Sequence, residues 1–180
     1  MEQQPCGLAY QAAGPYPPVD AGGRNARYAE MILSNVGGAV SEMTAVALYF
    51  YDALAAADLP EVAEVFHHIS MVEMHHLDIF GALARQLGAD PRLWCGQAGR
   101  RSWWTPRYIS YAPKLAPLLR AAIRSETEAI QKYEVQLRVI RNDNVAANLE
   151  RILQDERLHL TAFRCLWETY VGPAEAYPGR

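Results

Sequence analysis

Two Glu-x-x-His motifs are the parts of this sequence whose residue types and spacing are best suited to chemistry. The first consists of Glu73 and His76, and the second of Glu156 and His159. Residues three apart lie on one face of a helix, one turn apart, and both motifs fall among apolar residues at helical spacing. Because a carboxylate buried on such a face is costly unless something compensates its charge, each motif predicts a partner in the core.

Each motif is preceded by a glutamate and a tyrosine in the same arrangement. Glu42 and Glu126 lie 31 and 30 residues before the motif glutamates, and each is followed seven residues later by a tyrosine, Tyr49 and Tyr133. The chain thus holds two copies of one unit: Glu-x6-Tyr, a turn, then Glu-x-x-His. At about 1.5 Å per helical residue, both glutamates of a unit lie roughly 20 Å from the turn between them. We therefore expect all four carboxylates at one level.

Four buried carboxylates at one level would repel one another strongly in a medium of low dielectric constant. We find no Arg or Lys on the inner faces, whereas two divalent cations would supply the missing positive charge. Carboxylates with two imidazoles suit hard or borderline ions, so we expect two Fe or two Mn ions per chain. The predicted ligands are Glu42, Glu73, His76, Glu126, Glu156 and His159. Tyr49 and Tyr133 are too far along their helices to bind the same ions and are predicted to hydrogen-bond the ligands.

Hydrophobic periodicity with Gly and Pro punctuation predicts helices that position these residues. The four helices span about 27–57, with a weak point at the glycine pair 37–38, and about 60–87, 114–141 and 145–170. Short turns make each pair an antiparallel hairpin. Two hairpins joined by one long crossover are typical of a four-helix bundle, so the predicted fold class is all-α.

The predicted domain organisation is one bundle with two tails. Residues 27–170 form the bundle, and the crossover at 88–113 contains three tryptophans that should pack on it. Residues 1–26 form an extended arm rich in Pro and Gly, and residues 171–180 form a C-terminal tail.

Composition narrows the class of protein. The chain has 180 residues, of which 51 % are hydrophobic, and a net charge of −3. That is enough for one core, and without a Lys/Arg block we expect no nucleic acid and no membrane surface as partner. A signal peptide and an apolar run of about 18 residues are not found, so we predict a cytoplasmic protein.

The order Glu, Glu-x-x-His, Glu, Glu-x-x-His resembles the ferritin-like di-metal carboxylate proteins, whose bundle core binds two metal ions. The resemblance extends over about residues 27–170 and implies that the six residues named above are the ligands. It further implies that Glu73 and Glu156 bridge the two ions.

Three branches of this family match different features. The tyrosines and the D-E-x-x-H motif at 155–159 are similar to rubrerythrin, although Ala129 replaces a glutamate common there and the Cys-x-x-Cys tail is missing. The S-E-M-T motif at 41–44 resembles manganese catalases, whose fourth helix typically departs from Glu-x-x-His. Met74 occupies the position at which bacterioferritin holds a haem, but a helical Met more often packs, so haem is not expected.

The resemblance leaves the function open between three alternatives. The favoured one is a peroxidase or catalase-type oxidoreductase acting on hydrogen peroxide or O₂ in oxidative-stress protection, with an external electron donor if the metal is iron. The second is a ferroxidase and iron-storage protein, which requires a hollow shell of many subunits. The third is a bundle that uses metal only for stability. Because the arm and crossover resemble dimer contacts, we expect a homodimer or larger homo-oligomer.

Overall fold

The computed structural model describes residues 9–97 and 99–173, and these form five α-helices, one β-hairpin and a 3-10 turn at Pro106–Tyr108. The elements in chain order are α1 (Ala26–Gly37), α2 (Glu42–Ala55), α3 (Pro60–Leu87), β1 (Trp94–Gln97), β2 (Arg100–Trp103), α4 (Leu115–Leu137) and α5 (Asp143–Tyr170). Helices α1 and α2 follow one another along α3, since the Asn25 amide at the start of α1 donates to the Leu87 carbonyl at the end of α3 (3.0 Å). The predicted all-α four-helix bundle is confirmed.

The first predicted helix, 27–57, is interrupted at residues 38–41. Gly37 packs so closely on β1 that a Cβ there would lie 2.4 Å from the Trp94 nitrogen. Ser41 caps the N-terminus of α2, and Lys132 of α4 donates to two carbonyls around the break. The weak point expected at the glycines is therefore a full break, which places Glu42 in the first turn of α2.

The crossover carries more regular structure than the sequence predicts. Gly88 ends α3 with a left-handed conformation (φ 103°), and β1 pairs antiparallel with β2 so that Trp94 faces Trp103. The Trp104 indole donates to Thr44 Oγ1 on α2 (3.0 Å), and Trp94 packs on the core. Trp103 is 51 % exposed, so two of the three tryptophans pack on the bundle as expected.

The hydrophobic core consists of two clusters with a polar layer between them. Along α3, Ile69 belongs to one cluster and Ile79 to the other, with Glu73 and His76 between them. The same alternation occurs on α5, where the second motif lies between Leu153 and Ala162. The bundle thus holds the two Glu-x-x-His motifs in one layer, closed above and below by apolar side chains.

The N-terminal arm lies in the groove between α3 and α5. The Val19 carbonyl accepts a hydrogen bond from Gln86 of α3 (3.0 Å), and the Pro18 carbonyl accepts one from Asn148 of α5 (3.2 Å). The described part of the arm is therefore fastened to both of these helices by hydrogen bonds.

One stretch of the described residues, Ala26–Ala55, is long and apolar enough to cross a membrane by length and composition. It comprises α1 and α2, and 67 % of its most apolar window is buried inside the bundle. A core helix meets the same criteria, so this is weak evidence for a membrane span.

Candidate metal centre

The six residues predicted as ligands come together in the polar layer, and all six are buried. Their donor atoms form two groups, within each of which all atoms lie within 4.8 Å of one another. The first group is Glu42, Glu73, His76 and Glu156, and the second is Glu73, Glu126, Glu156 and His159. Glu73 and Glu156 belong to both groups, which is the arrangement that two bridging carboxylates would have.

Both histidines present Nδ1 to the carboxylates. His76 Nδ1 lies 3.0 Å from Glu73 Oε2 and 3.1 Å from Glu156 Oε1, and His159 Nδ1 lies 2.9 Å from Glu73 Oε1. The two rings stack with centroids 5.9 Å apart. Each imidazole therefore points one nitrogen at the centre of the cluster.

The other nitrogen of each ring is held from outside the cluster. His76 Nε2 lies 3.1 Å from Asp155 Oδ2, and His159 Nε2 lies 2.9 Å from the Tyr10 carbonyl oxygen. A carbonyl, like an ionised carboxylate, only accepts, so Nε2 carries a proton in each ring, and a ring that gives up its Nδ1 proton when a metal ion binds would direct an Nδ1 lone pair inward. Metal-binding histidines are commonly oriented by such outer hydrogen bonds.

The two tyrosines bind the ligand carboxylates crosswise. The Tyr49 hydroxyl donates to Glu126 Oε1, and the Tyr133 hydroxyl donates to Glu42 Oε1. Each tyrosine thus reaches the glutamate of the other hairpin. Burial and the neighbouring carboxylates raise the pKa of both hydroxyls well above the usual value, so they remain protonated donors.

Without a cation, the cluster can approach neutrality only by holding protons. Burial and the charges of Glu156 and Glu73 raise the pKa of Glu42 and of Glu126 well above the usual carboxyl value. Burial alone would lower the pKa of His159, but Glu73 and Glu156 outweigh it and raise that pKa to about 9. Four carboxylates with two neutral imidazoles would be balanced by two divalent cations.

Several donor atoms have no hydrogen-bond partner among the described residues. They are Glu73 Oε1, Glu126 Oε2, Glu156 Oε1 and His159 Nδ1. Glu73 Oε1 and His159 Nδ1 lie 2.9 Å apart but are not aligned for a hydrogen bond. Buried polar atoms are normally paired, so atoms that converge without bonding one another fit a bound metal ion.

The sequence matches the family model named Rubrerythrin over residues 38–167. The chain belongs to the rubrerythrin family. The match includes both hairpins and all six clustered residues, and it confirms a ferritin-like di-metal carboxylate protein. Rubrerythrin membership and the two donor groups together support an oxidoreductase with a di-metal site.

Solved structures share the fold of this rubrerythrin-family chain. It is similar to the crystal structure of KatB, a manganese catalase from Anabaena PCC7120, with a TM-score of 0.80 and 20 % identity over 96 % of this chain and 85 % of that chain. A crystal structure of wild-type KatB from Anabaena gives a TM-score of 0.82 at the same identity and coverage. At this identity the similarity confirms the ferritin-like fold alone. No curated protein matches the sequence.

Two residues around the centre, Arg151 and Tyr16, escaped the sequence analysis, which named their partner Asp155 only as part of the D-E-x-x-H motif. Arg151 is buried and contacts Asp155, and Tyr16 of the arm donates to Asp155 at 2.6 Å. Arg151 stands four residues before Asp155 on one helix, a spacing that indicates an ion pair. Tyr16 carries no comparable signal, because an extended Pro-rich arm has no periodicity from which its contacts could be inferred.

Proposed function

We propose that this rubrerythrin-family chain is a di-metal oxidoreductase that consumes hydrogen peroxide, with two iron or two manganese ions held by the six clustered residues. The observation that carries the proposal is the pair of overlapping donor groups that share Glu73 and Glu156. Bound ions would supply Lewis acidity and one-electron redox changes at adjacent positions. A small oxidant with two oxygen atoms is the substrate that suits such a pair.

The protein's contribution is to position these ligands and to exclude water. The outer hydrogen bonds of both histidines and the crosswise tyrosine hydroxyls restrict the orientations of the ligand side chains. Apolar side chains close the layer on both sides, including Ile69, Ile79, Phe80 and Phe163, all buried. This environment favours a small substrate over an organic molecule that needs several polar contacts.

The electron balance separates two versions of the reaction. Reduction of hydrogen peroxide to two waters consumes two electrons and two protons, so an iron centre would need an external electron donor. Disproportionation of two peroxide molecules to two waters and O₂ balances without a donor and suits manganese. The homodimer and the cytoplasmic location stay predictions.

The test is to load the protein with Fe²⁺ or Mn²⁺ and to measure peroxide consumption with and without a reductant. Glu156→Ala removes a carboxylate common to both donor groups and should abolish consumption. Glu64→Ala is the matched control, because Glu64 begins an exposed Glu-x-x-His on α3 and pairs with His68 in solvent. Consumption that is equally slow in wild type and Glu156→Ala, with O₂-dependent Fe²⁺ oxidation and many irons retained per chain, would indicate iron storage instead.

A further inference from the structure

Residues 10–16 of the arm, called the strap below, cross the groove between α3 and α5 at the level of the metal centre. At one end, the Tyr10 ring stacks on His68 of α3 with ring centroids 5.4 Å apart. At the other end, the Tyr16 ring packs edge-on against His75 of α3 at 4.5 Å. The strap thus lies over the two helices that carry the Glu-x-x-His motifs.

The strap reaches both histidines of the cluster. The Tyr10 carbonyl accepts the hydrogen bond of His159 Nε2 (2.9 Å). The Tyr16 hydroxyl lies 3.3 Å from His76 Nε2 and donates to Asp155 Oδ2 (2.6 Å), the oxygen that also lies 3.1 Å from that nitrogen. The outer nitrogen of each ring is therefore held by the strap or by a carboxylate that the strap binds.

Asp155 is clamped at both of its oxygens. The Ala12 amide donates to Oδ1 (2.6 Å), and Arg151 donates to the same oxygen. Arg151 also donates to the Ala12 carbonyl (2.7 Å) and lies 4.2 Å from the centroid of the Tyr16 ring. This arginine compensates the buried carboxylate and fastens the strap, so the orientation of His76 depends on how the strap is docked.

We propose that the strap is a working part of the metal centre, in which Tyr16 and the Tyr10 carbonyl are positioning groups that keep Nδ1 of His76 and of His159 directed at the two metal positions. Strap docking and metal binding then stabilise each other, because each favours the same orientation of the imidazoles. The proposal rests on the proposed function only in requiring that the chain bind two ions.

The two positions should respond differently to Tyr16→Phe. The substitution keeps the ring over Arg151 but removes the hydroxyl from Asp155 and His76. Loss of an outer hydrogen bond of this kind typically weakens metal binding about 10- to 100-fold, so the position served by His76 should weaken by that factor. The position served by His159 should keep its affinity, since its outer partner is a main-chain carbonyl.

The control is Gln86→Ala, which releases the arm at Val19 and Ala21, away from both histidines. Stepwise Mn²⁺ titration of metal-free protein, followed by electron paramagnetic resonance, reports both affinities and the fraction of ions that are magnetically coupled. Selective weakening of one ion in Tyr16→Phe, with two near-wild-type affinities in Gln86→Ala, supports a positioning role. Unchanged affinities in Tyr16→Phe, or equal weakening of both ions in both variants, would overturn it.

Hydrogen exchange gives a second readout that needs no turnover. Metal loading should slow exchange of the Ala12 amide, which is bonded to Asp155, and the slowing should be smaller in Tyr16→Phe. If the exchange rate of the Ala12 amide did not change on metal loading, this would contradict the proposed coupling between strap docking and metal binding. A wild type that binds two ions but consumes no peroxide would refute the proposed function and leave the strap assignment standing. A wild type that binds no ion would refute both.

Discussion

The hairpin α2–α3 and the hairpin α4–α5 deliver equivalent ligands with different support. Glu42 lies in the first turn of α2, directly after a break in the chain, whereas Glu126 lies in the interior of α4. His76 is oriented by a side chain of the other hairpin, whereas His159 is oriented by a main-chain carbonyl of the arm. Two cations require the same set of ligands from each hairpin to balance their charge. The residues that position those ligands can differ between the hairpins.

The difference is clearest three residues after each tyrosine. Gln136 follows Tyr133, and its amide is fully engaged with Asn35 of α1 at 2.8 and 2.9 Å. Asp52 follows Tyr49; it is fully buried, yet neither of its carboxyl oxygens has a hydrogen-bond partner among the described residues. One half therefore satisfies its buried polar group through α1, whereas the described part of the chain offers Asp52 in the other half no hydrogen-bond partner.

Substitutions of the ligands should have the largest effect, because they change the number of metal ions bound. Glu73 belongs to both donor groups and Glu42 to one, so Glu73→Ala should lose both ions, whereas Glu42→Ala should lose one and keep the ion near His159. Glu126→Ala should give the mirror-image result. Elemental analysis of metal-loaded protein checks the stoichiometry. One ion retained in Glu73→Ala, or none in Glu42→Ala, would contradict the sharing of ligands.

Asp52→Asn tests the effect of the buried carboxyl group in the hairpin α2–α3 on the pH dependence of stability. Burial raises the pKa of Asp52 to about 8, so the folded state binds a proton that the unfolded state has released between pH 3.8 and 8. The contribution of Asp52 to the free energy of unfolding should therefore be most favourable below pH 4. It should decrease as the pH rises towards 8, and the decrease at pH 7 should be up to about 4 kcal/mol. Asp52→Asn should remove this dependence.

Urea unfolding of metal-free wild type and Asp52→Asn at pH 5, 7 and 8 measures the effect. Gln136→Glu is the matched variant in the other half, because it places a carboxyl at the equivalent buried position and should introduce a similar decline with pH. Parallel stability curves for wild type and Asp52→Asn would show that Asp52 does not bind its proton more tightly in the folded protein.

The sequence predicts the clustered ligand residues well and the residues that position them poorly. Helical periodicity and the repeat identified all six clustered residues, because buried carboxylates at fixed spacing have few explanations other than metal. The sequence predicts that Tyr133 hydrogen-bonds a ligand, but not that this ligand is Glu42 of the other hairpin. The contact of Tyr16 with His76 comes from a still more distant part of the chain. Periodicity orders residues along one helix and carries no information on contacts between elements. The β-hairpin in the crossover was missed because its strands are only four residues long.

The tyrosines offer a test in which the two halves should agree. Tyr49→Phe and Tyr133→Phe each remove one hydroxyl from a buried carboxylate oxygen, which should lower the stability of the metal-free protein by about 1–3 kcal/mol. Both variants should keep two ions and alter the rate of peroxide consumption. Thermal unfolding and elemental analysis check this beside Tyr51→Phe, whose hydroxyl donates to the Ala112 carbonyl at 3.3 Å. Metal loss in either variant would contradict the prediction that the tyrosine only supports a ligand.

The smallest expected effect concerns the residue before each tyrosine, Lys132 in one half and Leu48 in the other. Lys132 Nζ donates to the carbonyl of Ser34 in the last turn of α1 (2.8 Å) and to that of Val40 within the break before Glu42 (2.6 Å). Lys132→Met should therefore cost about 1–2 kcal/mol and speed amide exchange at residues 38–41. Because the break positions Glu42, affinity should fall at the metal position that uses Glu42.

The matched control for Lys132→Met is Leu48→Met, since Leu48 is buried and donates no side-chain hydrogen bond. Exchange at residues 38–41 and affinity at both metal positions should remain as in wild type, because a volume-conserving apolar swap changes only packing. Equal exchange at the break in the two variants would mean that the Gly37 contact with β1 and the Ser41 cap fix this segment without the lysine. The asymmetry between the hairpins would then lie in the main chain of α1 and α2 and not in the side chain that α4 contributes.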